Sequence, residues 1–144
     1  MPVSTIANRR SYEFDALTVL RLITAAVLAA TTSEAGVPLA TIAPVIAAYD
    51  LFKVIVHDAA YTGYANGTAQ WTATVEASTT IGGTYTQVST PVVLNGSAQN
   101  VEVALSGLGV DSAVPGAKYL RVTATKTGTP GNLVYGAFVS PEMD

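Results

Sequence analysis

The chain has 144 residues and no Cys, enough for one domain that withdraws roughly 68 to 70% of its unfolded surface from water. Disulfides, thiolate chemistry and cysteine-based zinc sites are excluded. Seven basic against ten acidic residues, a net charge of −3 and an isoelectric point near 4.9 leave no Lys/Arg cluster for a phosphate backbone, so nucleic acid is not an expected partner.

Charged residues make up 12% of the chain, about half the usual share, with Thr, Ala, Gly and Val in their place. Small, weakly polar side chains lose little solvation and little rotamer entropy when covered. Such a surface suits packing against neighbours, and equally describes a Thr-rich sheet.

Residues 1–16 read as an extended arm, with Arg9 and Arg10 as charged contacts and Tyr12 and Phe14 as apolar anchors; residues 17–144 are the expected domain. The apolar stretch from Leu17 to Ala30 resembles a leader in composition. Glu13 and Asp15 ahead of it and Arg21 inside it argue against secretion, and its charge-free run is shorter than the roughly 20 residues of a bilayer span. Synthesis in the cytoplasm and no membrane partner are expected. Phe14 to Ile23 alternates only in part, Ala25 to Ala30 has helical propensity weakened by nearby Thr and Val, and Pro38 and Pro44 rule out a long helix from Val37 to Ala48. Residues 17–46 are therefore read as one or two strands with an irregular connection.

From Leu51 the pattern becomes regular. In Leu51–His57, period two puts Phe52, Val54 and Val56 on one face and Lys53 and His57 on the other. Trp71, Ala73, Val75 and Ala77 alternate with Thr72, Thr74 and Glu76, the signature of a half-buried strand. Gly82-Gly83 breaks the chain before a short strand at Thr84–Val88, and Pro91 and Asn95-Gly96 bracket Val92–Leu94. Val101–Leu105 and Tyr119–Thr125 alternate again, with Leu120, Val122 and Ala124 inward. Thr127 to Asn132 reads as a turn, and a last strand runs from about Leu133 to Val139. Short strands with turn residues between them and no convincing helix in this half indicate an all-β fold: an antiparallel β-sandwich or jelly-roll-like single domain with an N-terminal arm.

No residue set reads as catalytic. His57 is the only imidazole, and its neighbour Asp58 falls on the opposite strand face, which spoils a catalytic pair; a structural histidine is the better reading. Glu76 and Glu102 point outward with no sign of a second carboxylate across a cleft. No calcium-loop spacing occurs. Gly107-Leu108-Gly109 lacks the strand-to-helix context of a phosphate cradle and reads as a turn. Asn66-Gly67-Thr68 and Asn95-Gly96-Ser97 match the glycosylation sequon but read as turns. Tyr61 and Tyr64, in a loop before Trp71, are the candidate exposed aromatic contacts, of the kind that hold sugar. Neither a cofactor nor a metal is expected.

The opening Tyr12-Glu13-Phe14-Asp15-Ala16-Leu17, the strand Trp71–Ser78 with its Gly-containing hairpin, the strand Lys118–Thr125 and the closing Tyr135–Val139, in this order, resemble the capsid decoration (cement) proteins of tailed bacteriophages. The resemblance spans most of the chain. It implies a small, often trimeric sandwich on the virion exterior that bridges major capsid subunits and carries no catalytic residues. Similar strand phrases occur in phage tail and baseplate subunits and in carbohydrate-binding sandwiches, which stay open as alternatives.

Overall fold

The computed structural model describes residues 19–39 and 51–141. In chain order the strands are β1 (Val19–Arg21), β2 (Thr32–Ser33), β3 (Val37–Pro38), β4 (Leu51–Asp58), β5 (Gln70–Ser78), β6 (Thr86–Gln87), β7 (Val92–Leu94), β8 (Gln99–Ser106), β9 (Tyr119–Thr127) and β10 (Tyr135–Pro141). A short helix, α1 (Gly107–Ala113), follows β8. Two antiparallel sheets face each other as a sandwich. The first runs β1-β10-β4-β8; the second has β5 and β9 at its centre, with β2 and β3 along one side and β6 and β7 along the other.

The core forms where the alternating positions of both sheets meet. Phe52, Val54 and Val56 of β4 and Ala137 and Val139 of β10 oppose Trp71, Ala73 and Val75 of β5 and Leu120 and Val122 of β9. Fully burying a side chain of this size stabilises the fold by roughly 1.5–3 kcal/mol. Trp71 is fully enclosed, and its indole N–H donates to Gly131 O at 2.8 Å, so the largest apolar residue leaves no polar atom unmet.

The half after Leu51 follows its sequence period, with one exception. Gly107-Leu108-Gly109 opens a helix rather than a turn. Ser106 is its N-cap: the hydroxyl accepts from the Gly109 N–H at 2.9 Å, and Val110 fixes the helix to the core. The cap and one buried contact override two poor helix formers.

The described part of the first third holds three very short strands rather than one or two. Ala25 to Ala30 is not helical: the Ala25 N–H donates to Leu22 O in a tight turn, and Leu28 exchanges both backbone hydrogen bonds with Leu133 at 2.9 Å. Pairing with β10's approach outweighs alanine's helical preference.

Candidate functional site: a clamped apolar turn

Leu22, Ile23 and Val27 are 56%, 40% and 54% exposed, three large apolar side chains within six residues of the turn that follows β1. Each end of this turn is fixed. At its start, Arg21 is buried: Nε donates to Tyr135 O at 3.1 Å, Nη1 to Glu34 Oε1 at 3.0 Å and Nη2 to Ala26 O at 2.5 Å. The guanidinium also lies 4.7 Å from the Tyr135 ring centroid, and the Tyr135 hydroxyl donates to Glu34 Oε2 at 3.1 Å. At the far end, the paired backbone of Leu28 and Leu133 closes the loop. Burial, then the adjacent Glu34 carboxylate, pushes the Tyr135 hydroxyl well above its ordinary pKa, so it remains a donor. The turn thus displays apolar surface from a rigid frame and loses little conformational freedom when covered.

The sequence marked this segment only through Arg21, a cation inside an apolar run. Glu34 and Tyr135, two of its three partners, lie 13 and 114 residues away, beyond the reach of any local pattern.

The arm residues Arg9, Arg10, Tyr12 and Phe14 lie outside the described residues. Tyr61 departs from its expected exposure: it is 8% exposed and belongs to the core. Its hydroxyl donates to Leu94 O and accepts from the Trp71 N–H, so the phenol ties the loop to β5 and β7. Tyr64 is half-buried and stands edge-on to Tyr61, the rings 78° apart. The two do not form a flat platform of the sort a sugar ring stacks on.

His57 and Asp58 occupy opposite faces of β4, as the period requires. His57 meets the Phe138 ring edge-on, and burial lowers its pKa. Asp58 is 4% exposed with neither carboxylate oxygen in hydrogen-bond geometry. Burial pushes its pKa up to about 6, and the nearby backbone N–H groups of Asp58 and Gln99 offset the rise only in part. Glu76 pairs with Arg121 and accepts from Thr123; Glu102 pairs with Lys53. Each carboxylate is engaged with a neighbouring strand rather than set across a cleft from another.

A cavity of about 360 Å³ between Leu51, Val88, Leu105 and Val110 has no titratable side chain in its lining. Among the described residues no His/Asp/Glu group has the arrangement of a metal site, and no helix is long and apolar enough to cross a membrane. No family model, curated protein or solved structure matches the chain.

Proposed function

We propose that this protein is a virion structural component that binds the outer surface of a phage capsid and stabilises it by bridging major capsid subunits. The observation that carries the reading is the clamped turn. Leu22, Ile23 and Val27 offer apolar contact area from a frame that is already ordered, the property a protein needs if it acts by covering a neighbour. The low charge of the chain and its resemblance to decoration proteins support the same conclusion. Bridging adds interface area at each subunit junction, and many copies multiply small binding free energies by avidity. The arm, through Arg9 and Arg10, is a second contact in this scheme, and a trimer over a capsid symmetry axis is its expected assembly.

The sugar-binding alternative loses its strongest feature with Tyr61 in the core. The tail or baseplate alternative is separated by experiment. Purified protein is mixed with phage heads that lack it, and co-sedimentation and head survival on heating are measured. Saturable binding with improved survival is expected. Binding to isolated tails but not to heads would replace the capsid reading with the tail reading, and binding to neither would end both.

A further inference from the structure

Asn66-Gly67 and Asn95-Gly96 lie in turns with both asparagines exposed, and both glycines have positive φ, 79° and 86°. Such dipeptides are chemically labile, because glycine has no side chain to shield its nitrogen from the asparagine carbonyl carbon. Thr68 and Ser97, the residues that follow, are alike, so the sequence does not rank the two sites. The structure separates them at both reacting groups.

At Asn66 the nucleophile is engaged. The Gly67 N–H donates to Gln70 Oε1 at 2.9 Å. The turn is also closed by its own backbone: Ala65 O accepts from the Thr68 and Ala69 N–H groups at 3.0 and 2.8 Å, and the Ala65 N–H donates to Ala69 O at 2.8 Å. These bonds resist the rotation that would bring the Gly67 nitrogen onto Asn66 Cγ. At Asn95 the electrophile is engaged instead. The Ser97 N–H donates to Asn95 Oδ1 at 3.1 Å, which draws charge from Cγ and steadies the oxyanion that forms there on attack. The matching contact on Asn66 Oδ1, from the Tyr64 hydroxyl, is long at 3.4 Å. Among the described residues no hydrogen bond holds the Gly96 N–H, while the Gly96 carbonyl accepts from the Tyr61 N–H at 3.0 Å.

We infer that Asn95 is a site of spontaneous modification, converted to aspartate or isoaspartate, and that Gln70 protects Asn66 from the same reaction. The Gly96 nitrogen gives up its proton and bonds to Asn95 Cγ. The Cγ–Nδ2 bond breaks, and the amide group leaves with a proton as ammonia, which closes a succinimide ring. Water then adds to one imide carbonyl and breaks its bond to the Gly96 nitrogen. Opening at Cγ gives isoaspartate's counterpart only when the main chain is left through Cα, so cleavage at Cγ yields aspartate and cleavage at the backbone carbonyl yields isoaspartate. Either product adds one negative charge to a chain of net charge −3. Isoaspartate also lengthens the main chain by a methylene next to the Gly96 carbonyl that holds Tyr61. The site does not depend on the capsid reading.

The full chain is kept at mildly alkaline pH, folded and in urea, then digested with pepsin in acid to stop the reaction. Mass spectrometry follows amide-to-acid conversion at each asparagine, and an isoaspartyl methyltransferase labels the isomerised product. In the folded protein Asn95 is expected to react at least about threefold faster than Asn66, the worth of about one hydrogen bond. In urea the two rates should converge. Gln70→Ala should speed Asn66 by a similar factor and leave Asn95 unchanged. Equal rates in the folded chain, faster reaction at Asn66, a ratio that persists in urea, or an Asn66 rate indifferent to Gln70→Ala would each overturn the inference.

Discussion

Arg21 and Glu34 form a buried ion pair at 3.0 Å that joins β1 of the first sheet to the segment following β2 of the second. Their side chains are 5% and 14% exposed, and two further guanidinium hydrogens meet the backbone oxygens of Tyr135 and Ala26. Removing one partner strands the other charge out of water. Glu34→Ala is expected to cost about 3–5 kcal/mol, while Arg21→Met together with Glu34→Leu recovers much of the loss. Urea midpoints of the two variants check this.

The Tyr61 hydroxyl joins Leu94 O to the Trp71 N–H, and a phenylalanine would keep the ring but leave both backbone groups unmet. Tyr61→Phe is expected to destabilise the fold by roughly 1–3 kcal/mol. If the residue served instead to hold glycan, the change would leave thermal stability untouched.

Asp58 gives the fold a pH dependence of a definite sign. Its folded-state pKa of about 6 stands above the ordinary 3.8, so the protonated form is favoured by folding. The stabilisation is complete below about pH 4 and is lost as pH rises through about 6. Asp58→Asn should flatten this slope and raise stability at pH 7 by about 1–2 kcal/mol; a series of urea titrations from pH 4 to 8 on both proteins measures it.

Leu22→Asp and Val27→Asp place charge on the exposed turn without touching its clamps. Both proteins should melt as the parent does, because the altered side chains face solvent. Binding to phage heads should weaken at least about tenfold, or ~1.4 kcal/mol. Unchanged binding by both variants would remove this turn from the contact.

Much of the sandwich was legible where period and punctuation agree. Trp71 to Ala77 and Leu120 to Ala124 announced their buried faces by strict alternation, and glycine, proline or Asn-Gly closed their strands. The register that pairs Val75 with Val122 and Val54 with Val139 was not legible, because it is settled by packing between distant segments. The same holds for the candidate site. Arg21 looked like a flaw in an apolar run until Glu34 and Tyr135 were brought to it, and Tyr61 looked exposed because Leu94 is 33 residues away. The helix at Gly107 did have a local signal, Ser106 at the cap, hidden by the two glycines behind it.

The position of β10 governs when this protein can come into being. It is the last described strand, yet it lies between β1 and β4 and bonds to both. Until the ribosome has released residues up to 141, the first sheet lacks an inner member: β1 has no neighbour in it, and Arg21 has neither the Tyr135 carbonyl nor its ring. Growing chains must wait with that slot open, and a message cut short before it yields no closed sandwich. Each copy with a closed first sheet has therefore been translated at least to Pro141, a completeness check made by strand order alone.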